Sequence, residues 1–353
     1  MVAAVKAALE RSVTVDEATS ANAAEWNAYV QRHPHGTVDH LWEWRHIFAD
    51  VFRHRSVYLL ARRDGQIAGI LPLVVFNSRI FGRQLVSLPM LNHGGLLAEK
   101  DVADVLVDRA TEIGRSAGAR HIELRHASRW TDLPYRQHKV SMRLVLPDQP
   151  ERLWSLLDRK VRNQVRKAQK SGLIAQSGGE ALVPRFYAVF AENMRDLGTP
   201  VYPPELFTAV LERFGPHARV HLITLGDGEP VAGAIALSWN GTVLVPWASA
   251  LKSHRHLCPN MLLYWTMLEQ SIAEGAHTFD FGRSSPGGGT HQFKTQWGAH
   301  AEPQYWEYVL LRAGKVPDQG PSDGRFNLAI EAWKRLPLWL ANSAGPHIVR
   351  NIP

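Results

Sequence analysis

Phe279-Asp280-Phe281-Gly282-Arg283 reads as a buried strand that runs out into Ser284-Ser285-Pro286-Gly287-Gly288-Gly289-Thr290, a glycine-rich loop. His291-Gln292-Phe293-Lys294 follows at its far end. Glycine tolerates backbone conformations closed to other residues, so such a loop can fold over a ligand. Arg283 and Lys294 place positive charge on both sides of it. A fixed cation there suits the oxyanion that forms when a nucleophile attacks a carbonyl. Asp280 or His291 can accept the nucleophile's proton, while Phe293 and Trp297 pin the loop's far end. The lysine lacks the preceding glycine and following helix start of a Walker loop. A plain surface hairpin, with Asp280 capping its strand and His291 idle, is the competing reading.

Three further stretches offer binding groups. From Leu153 to Lys170 the residues Leu153, Leu157, Val161 and Val165 recur every four positions, one apolar stripe of a helix. Arg159, Arg162 and Arg166 fall on one flank of the stripe, and Lys160 and Lys167 on the other. No carboxylate follows Asp158 before the helix ends near Gly172, so these cations lack partners along the helix. The face is either a solvated basic surface or a contact for phosphate or nucleic acid. Asn193 to Pro204 reads as a helix end turning into a proline-stiffened loop that carries Arg195, Thr199 and Tyr202. Leu257-Cys258-Pro259-Asn260 opens a helix whose free N–H groups suit an anion, although Pro259 and Asn260 are also ordinary helix-start residues. Trp247 completes the set of candidate binding residues.

The elements that position these groups show in an internal echo. Val57 through Asp64-Gly65 and Ala68-Gly69 to Leu73 matches Val220 through Asp227-Gly228 and Ala232-Gly233 to Leu237. Each copy reads as a strand, an Asp-Gly hairpin turn and a second strand, with the later glycine at a bulge or a close backbone approach. Ala117-Gly118-Ala119 to Leu124 echoes Glu274-Gly275-Ala276 to Phe281, a helix ending at glycine before a buried strand. Both echoes recur in the same order at a domain-sized interval. They predict tandem α/β lobes over residues 13–145 and 146–312, each a mixed, mostly antiparallel sheet flanked by helices. An extension, residues 1–12, precedes them. A Gly/Pro/Asp-rich linker from Gly314 to Asp323 and a helical segment, Phe326–Leu336, fall in a tail over residues 313–353.

The chain's 353 residues suit two domains, and its formal charge of +7 favours an anionic partner. The single cysteine, Cys258, excludes a disulfide framework. The histidines show no metal-ligand spacing, so no metal is expected. No apolar run reaches the roughly 18 residues of a spanning helix, and the start is too short in apolar residues for a signal peptide, so a cytoplasmic protein is expected.

Together these motifs resemble the FemAB-like (Fem-type) family of the GNAT acyltransferase superfamily. Lys160-Val-Arg162-Asn-Gln-Val-Arg166-Lys167-Ala168 looks like the basic helix that opens that family's second lobe. Phe279-Asp280-Phe281-Gly282-Arg283 with Phe293-Lys294-Thr-Gln-Trp297-Gly298 looks like its C-terminal signature. The likeness runs from Trp26 to Tyr308. It is nearest the subgroup associated with exosortase (PEP-CTERM) and exopolysaccharide clusters, through Arg195-Asp-Leu-Gly-Thr-Pro200 and the tail from Leu336 to Arg350. The resemblance implies tandem GNAT-like lobes and transfer of an acyl or aminoacyl group to an amine on an envelope polysaccharide or peptidoglycan precursor. Lys294 inherits the role of stabilising charge at the carbonyl, and Arg162 and Arg166 that of holding the acceptor's phosphates. The donor is acyl-CoA or aminoacyl-tRNA. Two departures count: Ser253 to Asn260 stands where the usual pyrophosphate loop would be, and the helical-hairpin arm of some tRNA-dependent ligases has no counterpart. A tRNA-dependent peptidoglycan-type ligase and a non-catalytic module for anionic glycan or RNA are the alternatives. In the tail, Trp333, Leu336, Trp339 and Leu340 beside Lys334 and Arg335 suit either peripheral membrane contact or packing on the protein itself.

Overall fold

The computed structural model describes residues 13–78, 81–99, 101–312, 314–317 and 324–352. In chain order the first elements are β1 (Val13–Glu17), α1 (Ala23–Arg32), α2 (Glu43–Asp50), β2 (Arg55–Arg63), β3 (Gln66–Ser78), β4 (Gly82–Val86) and β5 (Leu97–Ala98). Next come α3 (Ala103–Ser116), β6 (His121–His126), β7 (Tyr135–Arg136), β8 (Val140–Val145), α4 (Pro150–Leu156), α5 (Arg159–Lys170), β9 (Ile174–Gly178), α6 (Val183–Leu197) and α7 (Pro204–Phe214). The remainder are β10 (Ala218–Thr224), β11 (Pro230–Trp239), β12 (Thr242–Ala250), α8 (Pro259–Ala273), β13 (Thr278–Ser284), α9 (Gly289–Thr295), β14 (His300–Pro303), β15 (Tyr305–Leu310), α10 (Gly324–Lys334) and α11 (Leu338–Val349).

These elements build two compact units, each around its own mixed sheet. The first sheet runs β1-β2-β3-β4-β6-β15-β7, with β5 against β3. The second runs β14-β8-β13-β12-β11-β10-β9. The order is the same in both: an antiparallel meander (β1 to β4, β9 to β12), then a parallel neighbour, β6 or β13, reached through a helix. Those crossover helices are α3 and α8, as the sequence echo predicts. The mixed α/β class with two helix-flanked sheets is what the patterning led us to expect.

The repeated glycines have the reasons the echo suggested. Gly65 and Gly228 take positive φ in their hairpin turns. A Cβ on Gly69 would stand 2.8 Å from Leu106 of α3, and one on Gly233 would stand 2.9 Å from Leu222. Both are points of close approach. The strand edges differ from contiguous lobes: Val140–Val145 pairs with β13 in the second sheet, and Tyr305–Leu310 pairs with β6 in the first. Strand β8, which follows β6 and β7 of the first sheet, thus completes the second, and β15, which follows β13 and β14 of the second, completes the first.

Two local expectations change. The stripe Leu153, Leu157, Val161, Val165 is buried throughout, but it spans two helices. Leu157 is extended and ends α4, and Asp158, also extended, precedes α5. Aspartate competes with the helical backbone and favours such boundaries. The glycine-rich loop is also shorter than expected, because α9 starts at Gly289 and carries His291, Phe293 and Lys294. The helical part of the tail is present as α10 and α11, while residues 318–323 of the expected linker and the extension 1–12 lie outside the described residues. No helix among the described residues is long and apolar enough to cross a membrane.

His221, buried on β10, carries a pH dependence. Burial, with Arg219 nearby, lowers its pKa from 6.5 to about 4. The unfolded chain therefore binds the proton more readily, so this contribution is complete above pH 6.5 and is lost as the pH falls toward 4. At pH 4.5 the loss is about 2–3 kcal/mol. Denaturant unfolding of His221→Gln at pH 7.5 and 4.5 is expected to show an acid loss smaller than the wild type's by that amount. Equal losses in the two proteins would refute the assignment.

Candidate functional site

The candidate site lies in the second unit where its sheet opens. β12 and β13 pair in parallel over only three positions, Thr242 with Thr278 to Leu244 with Asp280. Beyond Leu244, β12 continues to Ala250 paired with β11, while β13 keeps only β8, on its other edge, as a neighbour. The crevice past the carboxyl ends of adjacent parallel strands is where open α/β sheets take ligands. The crossover helix α8 begins at Pro259, with Cys258 at its N-cap in a left-handed conformation and half-buried Asn260 in its first turn.

Gly282 is the pivot. The register of β13 against β8 shifts between Asp280 and Arg283, and Gly282 has φ +76°. The bulge turns the Gly282 peptide out of the ladder, a conformation that suits glycine. Asp280 Oδ1 accepts the Gly282 N–H at 2.7 Å. Lys294 Nζ, reaching back from α9, donates to the Gly282 carbonyl at 3.1 Å and to the Arg283 carbonyl at 2.9 Å. An acid and a base, both buried, thus close on one residue. An ammonium has three donors, so two carbonyls leave Lys294 one N–H to spare.

Burial dominates both titrations. It raises Asp280 from 3.8 to about 6, against the pull of Arg143, the Gly282 N–H and Lys294. It lowers Lys294 from 10.5 to about 8, with Asp280 opposing and Arg283 assisting. Near neutral pH a carboxylate and an ammonium coexist, each close to its proton-transfer range.

Arg143 is the residue that sequence reasoning missed. Its Nε stands 3.6 Å from Asp280 Oδ2, and its Nη1 donates to Glu302 Oε2 at 3.2 Å. Nothing in Val140-Ser-Met-Arg-Leu-Val145 marks it, because its importance comes from the exchanged strand placing it opposite Asp280.

The other candidates separate. His291 is half-buried one turn before Lys294 on α9, and Arg283 is half-buried at the end of β13. Phe293 and Trp297 pack about Tyr264, the first at 5.1 Å between ring centroids, and Trp297 is wholly buried. They set the position of α9, Trp297 from within the core and Phe293 from a half-buried place against it. Trp247 is likewise packed, edge-on to Phe207 at 5.3 Å. Arg195 is occupied: its Nε donates to Asp196 and its Nη1 to the Leu336 carbonyl, which fastens the tail to α6. Thr199 and Tyr202 follow in the loop after Gly198, Thr199 closing α6 through a bond from its N–H to the Met194 carbonyl. On α5, Lys160 and Arg166 are exposed and Arg162 is half-buried. Arg166 lies over Trp154 at 5.3 Å, and the buried Nε of Arg162 has no acceptor. No ion pair engages any α5 cation among the described residues. No group of three or more His, Cys, Asp or Glu there is arranged to hold a metal ion.

Comparison with known proteins bears on this geometry. Residues 157–295, from the start of the basic helix to the helix of Lys294, match the acetyltransferase (GNAT) domain family. No curated protein matches the chain. Among solved structures the fold is similar to that of FemX, with a TM-score of 0.64 at 16% identity over 84% of this chain and 97% of that one. It is also similar to the C-terminal domain of a putative lysylphosphatidylglycerol synthetase from Agrobacterium fabrum, with a TM-score of 0.56 at 12% identity over 89% and 96%. A tandem GNAT protein from the clavulanic acid biosynthesis pathway gives 0.55 at 11% over 86% and 100%. Residues 157–295 therefore match an acetyltransferase (GNAT) domain, and the fold of the chain is similar to those of FemX and of a tandem GNAT protein.

Proposed function

We propose that the second lobe transfers an acyl or aminoacyl group to a primary amine on a sugar or peptide precursor of the cell envelope. The convergence of Asp280 and Lys294 on Gly282 carries this reading. The amine attacks the donor's carbonyl carbon and the new C–N bond forms as the carbonyl becomes an oxyanion. The spare N–H of Lys294 stabilises that charge, Asp280 accepts the amine's proton, and the donor's thiolate or alkoxide leaves as the carbonyl re-forms, the alkoxide taking up the proton that Asp280 received. His291, one turn away on α9, is the second candidate for the proton. Arg283 borders the site, and Asn260 with the α8 N-terminus suits an anionic part of the donor.

The cations of α5, led by Arg162, Arg166 and Lys160, are proposed to hold phosphates, since they are dense and free of carboxylate partners. The donor is acyl-CoA or aminoacyl-tRNA. The two are separated by titrating the protein with acetyl-CoA, longer acyl-CoAs and charged tRNA, and repeating the effective titration with Arg162→Ala/Arg166→Ala. Loss of two phosphate contacts is expected to weaken the donor or acceptor that uses them by about 10-fold or more, with a shallower salt dependence. If none of these donors binds, the non-catalytic module for anionic glycan or RNA takes the place of the enzyme.

Peripheral membrane contact through the tail is proposed from its exposed side chains. Leu328 on α10 is 80% exposed and Trp339 on α11 is 71% exposed, and exposed Arg335 and Arg350 follow the ends of these two helices. Tryptophan and arginine suit the headgroup level of an anionic bilayer. The intact protein should sediment with phosphatidylglycerol vesicles and Trp339→Asp should not. Failure of the intact protein to sediment removes the idea.

A further inference from the structure

Arg143 answers to two carboxylates. Its Nη1 donates to Glu302 Oε2 at 3.2 Å, while its Nε stands 3.6 Å from Asp280 Oδ2. The second separation is too long for a hydrogen bond, and that Nε is buried with no acceptor. The guanidinium thus gives its hydrogen bond to Glu302 and only its field to Asp280.

Strand order builds this arrangement. β8 lies between β13 and β14, so Arg143 is within reach of both neighbours. It is the register partner of Asp280 on one side, and Glu302 belongs to β14 on the other. Glu302 is itself held in place. Its Oε1 lies 3.0 Å from Nε2 of His300, two residues earlier on the same strand and therefore on the same face. One carboxylate oxygen faces the imidazole and the other faces Arg143. Along this row exposure rises from 4% at the Asp280 side chain to 31% at Arg143, 42% at Glu302 and 54% at His300.

The charged groups acting on the Asp280 carboxyl are Arg143 of β8, Lys294 of α9 and Glu302 of β14. The parallel neighbour β12 carries no charged residue from Thr242 to Ala250. Against the burial that disfavours the carboxylate, Arg143, the Gly282 N–H and Lys294 support it, and Glu302 opposes it. Glu302 opposes it in two ways of one sign. Its own charge repels the carboxylate, and its hydrogen bond keeps the guanidinium from closing on Asp280.

We propose that Glu302 is a positioning residue of the reaction centre: by holding Arg143 short of a hydrogen bond with Asp280, it keeps the Asp280 carboxylate basic enough to take the amine's proton. The proposal rests on the reading of Asp280 as general base. Full pairing with Arg143 would satisfy the carboxylate and leave it a poorer proton acceptor.

The test follows the Asp280 carboxyl directly, by carbon NMR titration of the full chain labelled at the aspartate carboxyl carbon. Asp280→Asn identifies the signal. Glu302→Gln removes the charge that draws Arg143 away, so the titration is expected to move to lower pH by roughly 0.5 pH unit. Glu302→Ala, which also removes the acceptor, should move it at least as far. Glu302 is exposed enough on its edge strand that both variants should keep the wild-type melting transition. Arg143→Met should move the titration the other way. In that background Glu302→Gln should displace it less than half as far as in the wild type, because the arginine it acts through is gone. A titration that stays put or rises in both Glu302 variants overturns the proposal. So does an equal displacement with and without Arg143, which would leave Glu302 acting by its charge alone. The acid limb of kcat/KM should move together with the titration. If the titration moves as stated and the acid limb does not, the reading of Asp280 as base fails, while the hold of Glu302 on Arg143 stands.

Discussion

Lys294→Ala is expected to lower kcat/KM for acyl transfer by about 10²–10³-fold, the usual effect of removing one fixed oxyanion donor. The size of the effect follows from where the ammonium sits. It is buried, so its field on a developing oxyanion is weakly screened. Its two bonds to the Gly282 and Arg283 carbonyls hold it in place before substrate arrives, so little reorganisation is needed at the moment of reaction. The same bonds raise a competing possibility, that Lys294 only tethers the strand end. Lys294→Arg separates the two. A guanidinium keeps the charge and can still meet carbonyls, but it is planar and bulkier than the site, and it does not reproduce a point donor. If Lys294 stabilises the oxyanion, the arginine variant should keep a normal melting transition and remain well below wild-type kcat. Wild-type kcat in Lys294→Ala would reduce the lysine to a tether.

Asp280→Asn should cost about 10²–10⁴-fold, the range for loss of a positioned general base. The wild-type pH profile should be bell-shaped. Asp280 works as a carboxylate, present above its pKa of about 6, and Lys294 works as an ammonium, present below its pKa of about 8. Activity should therefore rise through about pH 6 and fall through about pH 8. Asp280→Asn should flatten the acid limb. Arg143→Met removes a cation that favours the Asp280 carboxylate, so the acid limb should move to higher pH while the alkaline limb stays. An unmoved acid limb in Arg143→Met, with Asp280→Asn still active, would pass the base role to His291. Folding is affected with the opposite sign to His221. The raised pKa of Asp280 is a cost to stability above about pH 6, relieved as the pH falls toward 3.8.

Much of the scaffold was legible because its signals are local. Asp64-Gly65 and Asp227-Gly228 specify tight turns through backbone conformations that few residues adopt, and Gly69 and Gly233 follow each turn in the next strand because each passes close to a neighbouring side chain. The apolar stripe from Leu153 to Val165 showed correctly which residues are buried. It could not show the break at Leu157-Asp158, since both helices keep the same face toward the core and periodicity reports only the face. Likewise Gly287-Gly288-Gly289 looked like an open loop. Glycine is permissive in either state, and the sequence offered no way to see that packing of Phe293 against Tyr264 would support a helix there.

The sequence alone determined the tandem lobes, the crossover helices, the strand carrying Asp280 and the lysine that follows it. Those are properties of residues close together along the chain, where turn chemistry and hydrophobic period act directly. Only the tertiary structure decided which residues meet. The exchange of Val140–Val145 and Tyr305–Leu310 between sheets put Arg143 beside Asp280, and the bulge at Gly282 turned one peptide toward both Asp280 and Lys294. Trp247, Trp297 and Arg195 carry residue types common in binding sites, yet packing and the tail occupy them. Strand pairing satisfies backbone hydrogen bonds between segments far apart in the chain, and no local pattern records which partner will supply them.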